Sequence, residues 1–305
     1  MLTVSVVIPT YNRADLLSSA IDSVLAQRCP ASEILVADDG STDTTAQVVM
    51  GYGHPVQYLQ LPHTGLPAAT RNAGIRAATG DLLAFLDSDD LFLPDKLALQ
   101  SQAMAQMPEA GLVYSDALFF RTQPTEAVGH VLDGLPSPTG WVLPQLLVGN
   151  FLAPPSVLIR RTALESVGLF NEDPDFFAVE DFDLWLRLAE AFPFTYIPGD
   201  VAAIRRHPGG ISRNTTRLRQ GVLAVLAAFD RRSPAASQQY RSARHEAYAL
   251  SHAALATAEA HARCWRPAAR HTLQAVSHLV RLPGLGLPAL HAWRHRSKLR
   301  GDAAR

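Results

Sequence analysis

The sequence predicts an α/β fold with a Rossmann-like, mostly parallel central sheet that helices cover on both faces. Short β-branched runs alternate with segments of helical spacing, which is the pattern of parallel strands joined by crossover helices. Hydrophobic residues make up 48% of the 305 residues and charged residues 18%, which favours a packed core and argues against disorder.

The elements follow in order, and proline or glycine marks several of their ends. Pro9 is expected to end the first strand, Gly80 to close the third helix and Pro94 to open the fourth. The predicted strands are Val4–Ile8, Ile34–Ala37, Val56–Leu61, Leu82–Leu86, Leu112–Ser115 and Ser156–Ile159. The predicted helices are Ala14–Gln27, Thr42–Met50, Pro67–Ala78, one from Pro94 onward and Phe182–Ala191.

The chain divides by charge into a predicted catalytic domain, residues 1–216, and a basic, Ala/Arg-rich helical region, residues 217–305. The first part carries 12 Lys/Arg against 24 Asp/Glu, and the second 15 against 4. Residues 121–140 are rich in Pro, Gly and Thr and predict a long loop. Ala-rich stretches near 218–230, 235–263 and 267–280 predict a helical appendage without strands.

Several classes of protein are disfavoured by composition. Two cysteines, Cys29 and Cys264, argue against a disulfide framework or a cysteine-based zinc site. The N-terminus lacks the pattern of a signal peptide, and Leu279–Trp293 is too short and too often broken by Pro and Gly to span a membrane. We therefore expect a cytoplasmic protein.

Three polar clusters follow predicted strands. Pro9–Arg13 follows the first strand, Asp38–Asp43 the second and Asp87–Asp90 the fourth. Because ligands of open parallel sheets bind beyond the carboxyl ends of the strands, we expect the three clusters to share one rim and to form a site.

The segment Asp87-Ser88-Asp89 is the predicted chemical centre. Carboxylates two residues apart at a strand end can hold a hard divalent cation, Mg²⁺ or Mn²⁺, which in turn chelates a diphosphate. The alternative is that Asp89 or Asp90 only caps the following helix, and the other two clusters on the rim favour the metal.

The pair Asp38-Asp39 and the residue Arg71 suit the nucleotide. A buried carboxylate can accept the imide N–H of uracil or thymine, and the guanidinium fork of Arg71 can reach a base or phosphate. The alternatives are a turn with a helix cap for the first pair and a solvated surface position for Arg71.

The segments VSVVIPTYNR, VADDGSTD, TRNAG and FLDSDD, together with Glu180-Asp181, resemble the family 2 glycosyltransferases over about residues 3–213. The resemblance implies the GT-A fold and inverting transfer from a nucleotide-activated sugar with Mg²⁺ or Mn²⁺. It implies a nucleotide-sugar site formed by Pro9, Tyr11, Arg13, Asp39, Arg71, Asp87 and Ser88, with Asp89 as the direct metal ligand.

The resemblance also assigns the catalytic base to Asp181, with Glu180 beside it. Inversion by single displacement needs one base that deprotonates the acceptor hydroxyl and needs no nucleophilic residue. By themselves, these acids would equally suit the N-terminus of a helix.

A late loop and a few aromatic residues complete the candidates. His207 follows Arg205 and Arg206 in a Gly-rich loop, and the resemblance favours its binding the metal or the diphosphate. The two arginines would clamp phosphate oxygens or remain surface charges. Trp141, Asn150 and Phe151 are candidates for acceptor contacts.

The expected partners are a nucleotide-sugar donor and a saccharide or lipid-linked acceptor in polysaccharide or glycolipid biosynthesis, with no nucleic acid. The basic region would lie against an anionic membrane at its cytoplasmic face, or serve as a solvated cap or dimer contact. A sugar nucleotidyltransferase and a dehydrogenase are disfavoured because no Gly-rich loop follows the first strand. A catalytically silent nucleotide-binding or scaffold module remains the alternative.

Overall fold

The computed structural model of the chain describes residues 2–207, 215–262 and 264–282. The described residues fall into two compact units. The sheet unit comprises the residues up to Val142, Phe151–Glu172 and Arg187–His207, and the helical unit comprises Leu143–Asn150, Asp173–Leu186 and the described residues from Thr215 onward. The predicted domain boundary after residue 216 stays a prediction.

The described residues form nine strands, all in the sheet unit. They are β1 Val4–Thr10, β2 Glu33–Asp38, β3 Val56–Gln60, β4 Leu82–Phe85, β5 Leu91–Phe92, β6 Leu112–Phe120, β7 Gly129–His130, β8 Val157–Arg160 and β9 Phe194–Arg205. Their order across the sheet is β3-β2-β1-β4-β8-β6-β9-β5, with β7 paired to β6. The ladders β3-β2-β1-β4 and β6-β9 are parallel, which confirms the mostly parallel α/β sheet.

Eleven α-helices lie in the same described residues. They are α1 Ala14–Leu25, α2 Thr45–Met50, α3 Pro67–Ala77, α4 Lys96–Gln106, α5 Leu143–Val148, α6 Arg161–Val167, α7 Glu180–Ala191, α8 Thr215–Arg232, α9 Pro234–Gln239, α10 Arg241–His261 and α11 Trp265–Leu279. Short 3₁₀ turns occur at Pro154–Ser156 and Pro174–Phe176.

The central strands are buried along their whole length, as their sequences predict. Every residue of β1 and β2 is buried, because helices cover both faces of a parallel sheet and leave no solvated face for polar side chains. Helix α3 packs closely on β1 through Gly74, where a Cβ atom would stand 2.4 Å from Cγ1 of Val7. The glycine therefore sets how near the helix lies to the strand.

Pro9 does not end β1, contrary to the sequence prediction. It pairs with Ala37 of β2, and the ladder with β2 continues to Thr10–Asp38, whereas the ladder with β4 stops at Val7–Phe85. Proline has no N–H with which to continue a ladder. The missing donor thus ends the pairing with β4 and lets the chain after β4 leave the sheet.

Strands β5, β7 and β9 have no counterpart in the sequence prediction. Strand β9 contains Pro198-Gly199-Asp200, which breaks the apolar pattern, and a register shift relative to β6 accommodates this irregular stretch. Strands β5 and β7 have two residues each, too few to show a periodicity. Strand β6 also extends beyond its predicted end at Ser115 to Phe120.

The C-terminal part is helical, as predicted, with α10 and α11 packed against each other in the helical unit. Their contact includes two histidine pairs whose Nδ1 atoms lie 3.0 Å apart, His245–His278 and His252–His271. The remainder of the predicted Gly-rich loop after His207 and the tail beyond Leu282 lie outside the described residues. No helix in the described ranges has the length and apolarity needed to cross a bilayer.

Candidate active site

The candidate site of the sheet unit lies at the carboxyl ends of its parallel strands. The chain leaves β1 at Thr10, β2 at Asp38, β4 at Phe85 and β9 at Arg205. Because these strands are parallel, the polar segments that follow them share one rim.

The turn after β2 holds two buried carboxylates. Asp38 accepts hydrogen bonds from the backbone N–H of Ser41, at 2.9 Å, and from the hydroxyl of Tyr58, at 2.5 Å. Gly40 has a φ of +77° and adopts the left-handed conformation that this turn requires. Asp39 accepts from the backbone N–H groups of Thr64, at 2.9 Å, and Gly65, at 2.8 Å.

An aromatic pair lies beside this turn. The ring of Tyr11 stacks on that of His63 with centroids 4.3 Å apart, and Tyr11 is 42% exposed. His63 is held by its Nδ1, 3.0 Å from an Asp39 carboxylate oxygen. His63 is not among the site residues predicted from the sequence, although it follows β3 closely and the rule that ligands bind beyond strand ends points to it.

Arg71 is buried, so the alternative of a solvated surface position is wrong. Its Nη2 donates to Oδ1 of Asp87 at 2.7 Å, and its guanidinium lies 5.6 Å from the centroid of the Phe170 ring. Helix α3 carries Arg71 and its close packing on β1 brings the residue to the end of β4. The ion pair between Arg71 and Asp87 therefore joins helix α3 to the Asp-x-Asp segment.

Asp89 and His207 are adjacent, as the metal hypothesis requires. The Nε2 atom of His207 lies 2.9 Å from Oδ2 of Asp89, and the Nε of Arg205 donates to the backbone carbonyl of Asp89 at 3.0 Å. Pairing of β5 with β9 brings these segments together, since Leu91 pairs with Ala203.

Asp90 has a different role from Asp89. It is buried and accepts the backbone N–H of Arg205 at 2.8 Å, so it neither caps α4 nor faces solvent. Burial raises the pKa of Asp90 well above its usual value, and the nearby carboxylates of Asp87 and Asp89 raise this pKa further. Asp90 thus ties β9 to the acidic segment.

The pair Asp89 and His207 suits an octahedral divalent ion as two of its ligands. Two ligands at right angles, each about 2.1 Å from such an ion, are about 3 Å apart. In the described ranges, no group of three or more His, Cys, Asp or Glu side chains is arranged to hold a metal. Two protein ligands are nevertheless what a Mg²⁺ site completed by phosphate oxygens and water needs.

The remaining sequence candidates of the sheet unit are placed as follows. Pro9 is a buried strand residue. The backbone carbonyl of Arg13 accepts the first N–H hydrogen bonds of α1. Ser88 is buried and lies between Asp87 and Asp89 in the sequence. Phe151 is buried and its ring lies 5.5 Å from that of Tyr114, so it is a core residue. Trp141 is exposed.

The helical unit contains the candidate base. Asp181 lies in the first turn of α7, where its Oδ1 accepts the N–H of Phe182 at 2.7 Å and its Oδ2 accepts the side-chain amide of Asn150 at 3.2 Å. Glu180 is buried. Asp183 is paired with Arg232 at 3.1 Å. Asp181 is the half-buried member of the three acids, and Asn150 orients its carboxylate.

Residues 5–129 match the family model described as glycosyl transferase family 2. This range includes β1 to β4 and the three acidic and polar clusters of the rim. The part of the chain that carries these clusters therefore matches glycosyl transferase family 2. The family resemblance inferred from the motifs is thereby confirmed.

Curated relatives agree with this match. An uncharacterized glycosyltransferase of Rickettsia felis is 34% identical over 206 residues, which are 66% of this chain and 33% of the relative. The chain thus spans about a third of the length of the Rickettsia relatives that it matches first.

Two solved structures share the GT-A-like architecture of this chain. A mannosyltransferase from Pyrobaculum calidifontis, in complex with GDP-Man and Mn²⁺, has a TM-score of 0.63 and 22% identity over 98% of this chain and 80% of its own. Residues 1–349 of TarS from S. aureus, in complex with UDP-GlcNAc, have a TM-score of 0.56 and 17% identity over 83% and 82%. At these identities the likeness concerns the fold.

Proposed function

We propose that the chain is an inverting hexosyltransferase that moves a sugar from a nucleoside diphosphate donor to an acceptor hydroxyl. The observation that carries the proposal is the pair Asp89–His207 on the rim of a family 2 sheet, next to the ion pair of Arg71 and Asp87. Both structural neighbours named above are complexes with nucleotide sugars, which supports a donor of this class.

The turn after β2 and the Tyr11–His63 stack would receive the base. The exposed part of the Tyr11 ring offers an aromatic surface on which a nucleobase can stack. Asp39 accepts the backbone N–H groups of Thr64 and Gly65 and the hydroxyl of Thr64. Nδ1 of His63 lies 3.0 Å from a carboxylate oxygen of Asp39, so the imide N–H of a bound base would replace one of these side-chain donors. This chemistry favours a UDP-sugar, with a TDP-sugar as the second choice.

The diphosphate would lie near Asp89 and His207 with a bound Mg²⁺ or Mn²⁺. The metal supplies positive charge that stabilises the diphosphate as it leaves the sugar. The protein supplies the two ligands, and Arg205 positions one of them through the Asp89 carbonyl. The buried Arg71 keeps the neighbouring Asp87 carboxylate oriented.

Asp181 is proposed as the base of a single displacement. Its carboxylate takes the proton of the acceptor hydroxyl, whose oxygen forms the new bond to the anomeric carbon. The bond from that carbon to the diphosphate breaks, and its electron pair leaves with the diphosphate. The side-chain amide of Asn150 and the backbone N–H of Phe182 orient the two oxygens of Asp181, and Glu180 beside it would help to position the base or the acceptor.

The acceptor is proposed to be a saccharide or a lipid-linked saccharide in polysaccharide or glycolipid biosynthesis. The basic C-terminal region supports a location at the cytoplasmic face of a membrane, where a lipid-linked acceptor would be presented. The alternative is a catalytically silent module that binds nucleotide without transfer.

The test is a panel of UDP-, TDP-, GDP- and CDP-sugars with Mn²⁺, in which release of the nucleoside diphosphate is measured. We expect turnover with one donor series, and a loss of about 10²-fold or more in Asp181→Asn because the general base is removed. Titration calorimetry should find nucleoside diphosphate binding unchanged in this variant. Asp175→Asn, at an exposed acid of the same unit, is the matched control and should retain turnover.

Turnover that is equal in wild type and Asp181→Asn would contradict the assignment of the base. Nucleotide binding without release from any donor would instead support the silent module.

A further inference from the structure

Helix α11 has one face packed and one face open in the helical unit. Ala268 and Ala275 are buried on its inner side, and His271 and His278 on the same side meet His252 and His245 of α10. The inner face of α11 is therefore the one that packs against α10.

The outer face of α11 carries a stripe of apolar side chains. Trp265, Leu273, Val276 and Val280 are exposed, Leu273 by 72% and Val280 by 75%. Together with Ala269, which is also exposed, they follow one another at intervals of three or four residues, which places them on one side of a helix. Single exposed apolar residues are ordinary, but a continuous stripe marks an interaction surface.

Three arginines border this stripe on one side. Arg266 and Arg270 are exposed on the polar edge of α11, four residues apart, and the exposed Arg281 lies in the turn that directly follows the helix. The sequence contains no Asp or Glu between Glu259 and Asp302. Glu259 itself is directed to the inner side, where its carboxylate lies 3.5 Å from His271.

The positive charge beside the apolar stripe distinguishes between the molecules or segments that could cover this face. A second copy of the chain would bring its own three arginines against the first three. Residues 283–305 carry five Lys/Arg and one Asp, so this segment has the same sign of charge as the stripe's border. Like charges at close range disfavour both occupants.

A bilayer that contains anionic lipids complements both features of the face. Apolar side chains of an interfacial helix enter the boundary between headgroups and acyl chains, while the long arginine side chains reach the phosphates. We propose that the outer face of α11 is a docking surface for the anionic headgroups of a membrane, with Trp265, Leu273, Val276 and Val280 inserted and the three arginines on the lipid phosphates. This surface is independent of whether the sheet unit transfers sugar.

The test is sedimentation of the full chain with vesicles of phosphatidylcholine alone or mixed with phosphatidylglycerol, at low salt and without nucleotide. We expect binding to the mixed vesicles. The variant Arg266→Gln/Arg270→Gln/Arg281→Gln should bind about 100-fold more weakly, since each basic residue near an anionic surface contributes about fivefold in affinity. The variant Leu273→Ser/Val276→Ser should also lose binding, because the inserted apolar area is removed.

The matched control is Arg28→Gln/Arg76→Gln/Arg121→Gln, which removes the same charge from exposed positions of the sheet unit. It should bind as wild type does, and unchanged circular dichroism should verify the folding of every variant. Equal losses in the two arginine variants would overturn the proposal, because net charge and not this face would then govern binding. Absence of sedimentation, or a self-association by ultracentrifugation that Leu273→Ser/Val276→Ser abolishes, would also overturn it.

Discussion

The ion pair between Arg71 and Asp87 allows a quantitative test of how α3 and the acidic segment are joined. The side chain of Arg71 is 7% exposed and that of Asp87 35%, with Nη2 and Oδ1 2.7 Å apart. The same chain offers a matched pair, Arg28 and Asp95, with a similar distance of 2.6 Å but exposures of 71% and 47%. The change Asp→Asn removes one charge and preserves shape in both.

The expected magnitudes differ because the surroundings differ. Breaking a fully buried pair costs about 3–5 kcal/mol, since the remaining charge stays desolvated. Asp87 is partly hydrated, so we expect Asp87→Asn to lower the free energy of unfolding by about 1–3 kcal/mol. An exposed pair contributes about 0–1 kcal/mol, which bounds the effect of Asp95→Asn.

Urea unfolding followed by circular dichroism measures both variants under the same conditions. Added salt should reduce the small effect of Asp95→Asn more than that of Asp87→Asn, because exposed charges are screened more strongly. If Asp87→Asn cost no more than Asp95→Asn, the Arg71–Asp87 pair would not hold the site together and the reasoning would be refuted.

Two further predictions concern packing and pH. Gly74→Ala should destabilise the protein by about 1 kcal/mol, because the clash with Val7 costs about 1–3 kcal/mol and exceeds the gain of about 1 kcal/mol in helix propensity. In a double-mutant cycle, Val7→Ala should relieve part of this loss of stability. Strictly additive effects of the two substitutions would contradict the contact between the residues. Burial, and then neighbouring histidines, lower the pKa values of His252 and His278 to about 4, below the ordinary 6.5. The unfolded chain therefore binds protons first, so the free energy of unfolding should fall as pH decreases from about 6.5 to about 4. Thermal unfolding should show a smaller fall in His252→Gln, and an equal fall would contradict the histidine contribution.

Much of the fold could be predicted because local patterns agree with the tertiary structure. The β-branched runs of β1 and β2 are buried on both faces, so they are apolar throughout and stand out from the helices between them. Strand β9 could not be predicted, because its central Pro198-Gly199-Asp200 stretch interrupts the alternation of apolar and polar residues. Its partner strand β6 also lies far away in the sequence. Helices α5 and α6 are one to two turns long, which is too short for a periodic signal.

The candidate site was predictable in its residue types and less so in its contacts. Strand ends identified Asp39, Asp87 and Asp89, since side chains at the carboxyl end of a parallel sheet converge by topology. The burial of Arg71 was not predictable, because it depends on the closeness of α3 to β1 at Gly74. The contact of His207 with Asp89 depends on the pairing of β5 with β9, which has no signal in the sequence.

The central claim is that Asp89 and His207 hold a divalent ion that binds a nucleoside diphosphate. The most direct measurement is the thermal midpoint of wild type and Asp89→Ala with UDP, TDP, GDP or CDP, each with and without Mn²⁺. Asp95→Ala is the control, at an acid whose side chain is 47% exposed. A ligand at about a hundred times its dissociation constant stabilises the fold by about 2.7 kcal/mol, which is a measurable shift. We predict a Mn²⁺-dependent increase with UDP or TDP that Asp89→Ala loses and Asp95→Ala keeps. An equal increase in Asp89→Ala, or no increase with any nucleotide, would contradict the claim.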